Sequence, residues 1–466
     1  MSALPVGEHA LGVVCAGAHR ARVTQVRYKG RAVTALHLSR FSSLRAFGHR
    51  NFVYVWSGAL VSNIGTWMEI LALGVFVTTV TGRAEATGGI AAITYLPALV
   101  LSPVAGALAD RFDRRSYVAV GTLLHALLAG ILTVLAFTGH LTVPVVGVIS
   151  FFNGCVSALT NPAFSALVSE LVPPEDLHSA VSLNSAQFNL GRIIGPALAA
   201  VVLSAHGIAW ALLVNTLSFV AVLIALWRVS PSARASSLSQ DELWPGIVRG
   251  ARVAREDAGI FLAMMGTLVM CTLVAPFIGL VPVYAIRVFN QGAGATSLLV
   301  TAQGVGAVLA AVMLGPLVNR LGRQRVLEAC LLGIGPIAAL YWMAPTLHLA
   351  ALAMVGLGWF YMATLTGLNT LCQLRVPREL QARIHSLYSM MLGVGYAAGV
   401  WAQGALADRI GVRFITASCA VLFLAMVLTL RLLRPRAFDA TEAPSKLVPS
   451  AAPGSAAVRL ESSGEF

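Results

Sequence analysis

Glu69 is the one carboxylate at the middle of a long apolar run, and Arg192 lies well inside another. An acid removed from water can take up and release a proton as its solvation changes, whereas a guanidinium at that depth can hold an anion or serve a polar cavity. Asn63, Thr66 and Glu69 fall within about 120° of one helix face at 100° per residue. Ser182, Ser185, Asn189 and Arg192 recur at three- and four-residue spacing and share a face of another helix, followed by Gly195–Pro196, a site for close packing and a bend. This pattern marks Glu69 and Arg192 as candidates for proton coupling. Asn63, Thr66, Tyr95, Ser185, Asn189, Gln303 and Trp359 are the candidate cavity lining. Trp67, Phe188 and Tyr361 are further aromatics that could meet an amphiphile. The bland readings are a neutral acid hydrogen-bonded in a helix interface for Glu69 and an interfacial snorkel for Arg192. His125, His206 and His348 read as bland interface residues.

Such residues need a scaffold that hides them from water, and the composition supplies one. Of 466 residues 57% are hydrophobic and 11% charged, against about 45–50% and about 25% in soluble domains. A charged fraction this low cannot coat a water-facing surface, and disorder would require the opposite balance. Continuous apolar runs also exclude the alternating strands of a β-barrel. The chain is expected to be an all-α membrane protein. None of the six cysteines forms a CxxC pair, so neither a zinc site nor a disulfide framework is expected, and no cofactor. A net charge of +13 would suggest nucleic acid in a soluble protein; here it reads as loop topology, with no nucleic-acid partner.

Apolar segments fall at about 52–80, 86–109, 116–138, 141–168, 178–204 and 208–228, then at 258–286, 294–319, 325–344, 347–374, 384–407 and 413–434. Twelve transmembrane helices in two six-helix groups are predicted. Residues 1–50 read as a disordered cytoplasmic extension, 51–228 as the N-terminal bundle, 229–257 as a cytoplasmic linker with a surface helix, 258–434 as the C-terminal bundle and 435–466 as a disordered tail. Only Arg83, Arg287, Arg409 and Arg413 lie in the loops of one side, and the remaining loop Lys and Arg crowd the other. Both termini are therefore expected in the cytoplasm.

The halves resemble each other. VPPEDLHSAVSLNS from Val172 aligns without a gap on VPRELQARIHSLYS from Val376, carrying Glu175 onto Glu379, Gly191 onto Gly395 and Gly195 onto Gly399. Asp110–Arg111–Phe112 likewise aligns with Asn319–Arg320–Leu321, and Arg114 with Arg323. Two matches in consistent order argue for a duplication, and parallel halves related by an axis along the membrane normal are a transporter architecture.

The stretch GALADRFDRRS, Gly106 to Ser116, resembles the signature loop of the major facilitator superfamily. IGTWMEILALGVFV (Ile64–Val77), TYLPALVLSPVAGALADRFDRR (Thr94–Arg115) and NLGRIIGPALAA (Asn189–Ala200) are similar to the bacterial exporter branch that includes enterobactin-type siderophore exporters and macrolide-efflux-like proteins. The likeness runs from about Phe52 to Arg434. It implies the major facilitator fold, two pseudo-symmetric bundles rocking about a central cavity, with proton entry driving the exit of a drug, siderophore or metabolite. An Arg at the Arg192 position belongs to that pattern. Four departures stand out: Glu69 where relatives commonly carry Gln, Asp113 where many have Gly, Phe164 where Arg is frequent, and Asn319 in place of the acid in the second half.

Gly106, Asp110, Arg111, Arg114, Arg115, Arg320 and Arg323 are the expected conformational latch of the inner face, with Gly106 allowing close helix approach and Asp110 accepting from a facing helix N-terminus. The expected protein is a monomeric, proton-coupled exporter in the bacterial plasma membrane, its partners a small molecule, protons and lipid. A lipid flippase on the same fold and a non-transporting sensor are the alternatives. Enzymatic chemistry is not expected, because paired carboxylates, a metal cluster or a Ser/His/Asp set at membrane depth are missing from the sequence, and no GxxxxGK[ST] loop offers ATP drive.

Overall fold

A computed structural model describes residues 42–229, 252–376 and 378–433, excluding the side chains of 42–43, 103–104, 106–107, 109–110 and 378–383. Residues 1–41, 230–251 and 434–466, which hold most of the expected extension, linker and tail, lie outside the described residues.

The first half is six long helices: α1 (Arg50–Thr81), α2 (Ala84–Arg111), α3 (Arg114–Phe137), α4 (Val143–Glu170), α5 (Leu177–His206) and α6 (Ile208–Arg228). The second contains α7 (Ala258–Leu273), α8 (Val281–Phe289), α9 (Ala293–Leu321), α10 (Arg323–Met343), α11 (Leu347–Leu374), α12 (Arg378–Ile410) and α13 (Val412–Leu433). Glycines at positive φ end several helices where a side chain would be strained. Gly82 (φ 62°) turns α1 into α2, and its N–H returns to the Thr78 carbonyl at 2.9 Å.

Two differences from the sequence expectation have local causes. The seventh crossing, expected unbroken over 258–286, divides into α7 and α8 around a 3₁₀ turn at Ala275–Phe277. Pro276 and Pro282 cannot donate to the ladder. Phe277, Leu280, Val281, Val283 and Tyr284 have no exposed surface, so the irregular backbone is walled by protein, the condition under which membranes tolerate it. Second, Ser42–Gly48, assigned to the disordered extension, forms a 3₁₀ helix. Ala46 is fully buried and its N–H meets Ser179 Oγ of α5 at 3.1 Å, while Phe47 lies edge-on to Trp56.

Ten helices among the described residues are long and apolar enough to cross a membrane; the broken α7–α8 pair and α12 complete the two six-crossing halves. α1 lies between α5 and α6, and α2 and α3 lie against α4. In the second half α9 lies against α11, α10 between α11 and α13, and α7 against α12. The halves meet where α2 runs along α12 and α5 along α9. These two pairings exchange under the duplication, which maps α5 onto α12 and α2 onto α9. The face where α1 begins and α13 ends is called here the terminal face; the opposite one, with the α1–α2 turn, is the far face.

Candidate functional site

Glycines bring three backbones together at mid-depth. A Cβ on Gly358 would collide with the Gln303 carbonyl, one on Gly306 would lie 2.9 Å from the Trp359 nitrogen, and one on Gly304 would lie 2.6 Å from Ile193. α5, α9 and α11 therefore converge more closely than larger residues allow. Their approach is tied by Ser297 Oγ donating to the Pro196 carbonyl (2.7 Å) and Thr301 Oγ1 to that of Ile193 (3.4 Å). On the other side of α5, Gly195 admits α1, since its Cβ would lie 2.7 Å from the Ile64 carbonyl.

Arg192 sits where these helices meet, 7% exposed, its guanidinium carbon 5.2 Å above the Trp67 ring. Tyr95, Tyr361 and Tyr396 are within electrostatic reach of it, and Tyr95 of α2 meets Tyr396 of α12 edge-on at 4.9 Å. Both halves thus contribute to one aromatic-walled centre. Arg192 Nε, Gln303 Nε2 and Trp359 Nε1 are buried donors with no hydrogen-bond partner. The remaining candidates are partly spoken for. Asn63 Nδ2 donates to Gln187 Oε1 (2.9 Å), Asn189 Nδ2 to the Ser185 carbonyl (2.9 Å), and Ser185 Oγ to the Val181 carbonyl (3.1 Å). Thr66 is half-buried on α1. Gln187 and Tyr396 were not anticipated.

Glu69 is placed elsewhere. It is 4% exposed and points into the first half, where Asn215 Nδ2 of α6 donates at 2.5 Å and Asn153 Nδ2 of α4 at 3.4 Å. Asn153 Oδ1 is hydrogen-bonded in turn to His125 Nδ1 of α3, whose ring stacks on Phe219. Trp67 and Glu69 are two residues apart, about 200° around the helix, so they face opposite sides of α1. Glu69 and Arg192, both candidates for proton coupling, therefore lie on opposite sides of α1, and no ion pair joins them among the described residues. His125 was read as bland and is instead the end of a polar chain. The mid-helix amides Asn153 and Asn215 were the available signal for it.

Of the expected latch, the Gly106 and Asp110 side chains lie outside the described residues. Arg114 pairs with Glu170 of α4, Arg115 Nη2 donates to the Trp227 carbonyl (3.1 Å), and Arg111, Arg320 and Arg323 are exposed on the terminal face. Asp113 accepts from the Ser116 N–H at 2.8 Å as the N-cap of α3, and Ser116 holds its carboxyl below the usual carboxylate range. That cap accounts for an Asp where a Gly is common.

The far face is sealed by a residue that sequence reasoning passed over. Asp408, near the end of α12, accepts the N–H groups of Ala84 and Glu85 at 2.9 Å each. These are free donors at the positive end of α2. Arg287 of α8 closes on the same carboxylate at 2.6 Å and donates to the Gly82 carbonyl. Gly404 and Gly88 carry the seal inward: their Cβ positions would lie 2.7 Å from the Ala84 carbonyl and collide with the Val400 carbonyl, respectively. The hydrogen bonds and ion pair joining the halves run from this rim to mid-depth. No cluster of three metal-ligating side chains occurs among the described residues.

This geometry, a polar centre between two duplicated bundles closed at one end, defines a membrane transporter. The family model described as transmembrane secretion effector matches residues 41–461, and the chain belongs to that family, in an efflux-like branch of the major facilitator superfamily. It is 26% identical over 391 residues to macrolide efflux protein A of Streptococcus pyogenes, covering 81% of this chain and 94% of that protein. It is 25% identical over 387 residues to the multidrug efflux pump Tap of Mycolicibacterium fortuitum (79% and 92%), and 25% over 295 residues to the staphyloferrin A transporter of Staphylococcus aureus (62% and 73%). In fold it is similar to the nucleoside transporter NupG, with a TM-score of 0.68 at 12% identity over 82% of this chain and 100% of that one. A D-xylose–proton symporter gives 0.62 at 15% identity (81% and 96%).

Proposed function

We propose that the chain exports a small organic molecule by alternating access, driven by proton entry, from a plasma membrane with both termini in the cytoplasm. The observation that carries the reading is Arg192, buried without a hydrogen bond or ion pair among the described residues between two halves that are fastened together on the far face. A polar centre so placed is exposed to one side at a time as the halves rock. The scarcity of Lys and Arg in the far-face loops supports a cytoplasmic terminal face. On this reading the signature-loop residues from Gly106 to Arg115, with Arg320 and Arg323, fasten the terminal face when the far face opens. Glu69 is the proton site. Its hydrogen bonds come from neutral amides, and no cation within ion-pair distance fixes its charge among the described residues. The efflux names of the relatives support export.

Glu69→Gln keeps an acceptor for the Asn215 amide and removes the proton. It is expected to fold and insert normally and to lose dependence on the proton gradient. One proton per cycle across one pH unit supports about tenfold accumulation. In everted vesicles the uncoupler-sensitive part of transport, present in wild type, should vanish in the variant. A variant that stays fully uncoupler-sensitive at unchanged rate would make Glu69 a packing residue.

A further inference from the structure

The charge balance at mid-depth has one sign. Arg192 is 7% exposed, its Nε is sealed off without a hydrogen-bond partner, and its neighbours are the face of Trp67 and the neutral phenols of Tyr95, Tyr361 and Tyr396. The carboxylate at comparable depth, Glu69, faces away across α1 and is held by Asn215 and Asn153. The other described acids lie near helix ends, where Asp408, Asp257, Glu170 and Glu328 each have an arginine of their own. An isolated buried cation is costly unless something compensates it, and a cation–π contact returns only part of that cost. The three phenols, being neutral, leave the positive charge uncompensated. A guanidinium with aromatic walls from Trp67, Tyr95, Tyr361 and Tyr396 matches an oxyanion attached to an apolar body.

We infer that the substrate of this cavity is an amphiphilic carboxylate, its anionic group seated on Arg192 and its apolar body against the surrounding aromatic rings. The inference rests on reading the cavity as the transport site. A lipophilic cation would add a second positive charge beside Arg192 and is disfavoured; a neutral isostere would leave the guanidinium uncompensated.

Three probes of nearly one shape separate these cases: 2-naphthoate, 2-naphthamide and (2-naphthylmethyl)trimethylammonium. Binding is measured by titration calorimetry on the full chain in lipid nanodiscs. Wild type is expected to hold naphthoate at least about tenfold more tightly than naphthamide, a difference of about 1.4 kcal/mol, with the ammonium probe weakest. Arg192→Gln should bring naphthoate and naphthamide to the same affinity, and Arg192→Lys should keep part of the preference. The proposal is overturned if wild type does not bind naphthoate, if naphthamide or the ammonium probe binds as tightly, or if Arg192→Gln leaves the preference intact. The wild-type series decides the sign even where a variant does not fold. Vesicle transport separates this outcome from the fate of the export reading. Anion preference without movement of any probe would sink export and leave the site assignment standing, whereas transport of the ammonium probe without anion preference would do the reverse.

Discussion

Gly88→Ala is expected to drive the protein out of the far-closed arrangement, while Gly89→Ala beside it leaves the arrangement unchanged. A Cβ on Gly88 collides with the Val400 carbonyl of α12, a backbone atom that cannot rotate aside, whereas one on Gly89 lies 3.9 Å from the nearest atom of Trp401. Overpacking of this kind costs about 1–3 kcal/mol. Here the cost falls on a contact between halves that separate when the far face opens. The equilibrium should therefore shift toward the far-open form by about ten- to a hundredfold. Spin labels at Arg83 and Arg409, both exposed at the far rim, should report longer distances in Gly88→Ala than in wild type or Gly89→Ala. Matching distributions for the two variants would mean that α2 and α12 do not part there. Gly306 and Gly154 behave differently, because their collisions, with the carbonyls of Val355 and Thr94, are inside one bundle. Substitution there should lower stability instead of shifting the conformation.

Arg375→Ala should be the most destabilising change of a charged residue on the terminal face. Arg375 closes α11 and grips Asp257 through Nε at 2.7 Å and Nη2 at 3.1 Å, with side-chain exposures of 9% and 5%. Asp257 meanwhile caps α7 by accepting from Gly259 and Ile260 at 3.0 Å each. Removing the arginine strands a buried carboxylate, at a cost of about 3–5 kcal/mol. Arg431→Ala, which breaks the half-exposed pair with Glu328, should cost about 0–1 kcal/mol. Thermal unfolding of the purified protein should show a much lower midpoint for Arg375→Ala only. The double variant Arg375→Gln with Asp257→Asn should recover part of the loss, since no charge is then left unpaired. Equal midpoints for the two single variants would show that the Asp257 site admits water.

Most helix boundaries were readable because membrane thickness and glycine punctuation fix them together. The sixth crossing was expected at 208–228 and is Ile208–Arg228; the tenth, expected at 347–374, is Leu347–Leu374. The broken seventh crossing was not readable, because its residues are apolar on every face and periodicity carries no mark of a break. Pro276 and Pro282 were visible, but proline alone does not separate a kinked helix from a divided one. At the site, Arg192, Tyr95, Gln303 and Trp359 stood out as polar or amphipathic groups at membrane depth. Tyr95 lies near Arg192, whereas Trp359, two residues from Tyr361, packs against Ala310 and Cys330 on another side of α11. Glu69 was grouped with Asn63 because an arc of about 120° on α1 counts as one face by spacing, yet that arc is wide enough to be shared between α5 and α6. Asp408 went unnoticed for a different reason. A carboxylate near a helix end reads as solvated charge, and its partners are the backbone N–H groups of Ala84 and Glu85, which no side-chain pattern announces.

The glycines that let α12 touch its neighbours also bear on how the protein is made. Gly399 meets the Thr272 carbonyl of α7, Gly395 that of Leu268, and Gly404 that of Ala84 on α2. A helix that gives up this much side chain is held in place by close backbone contact with its neighbours. During synthesis each segment partitions from the translocon largely on its own apolarity. α12, with its glycines against α7 and α2, is expected to enter with help from α7 already in the bilayer and from the apolar α13 that follows. A chain ended after Ile410 should leave its last helix open to protease added from the cytosolic side, and restoring Val412–Leu433 should protect it. Biogenesis of the second half is on this account a paired delivery, with α12 entering the membrane in the company of α13.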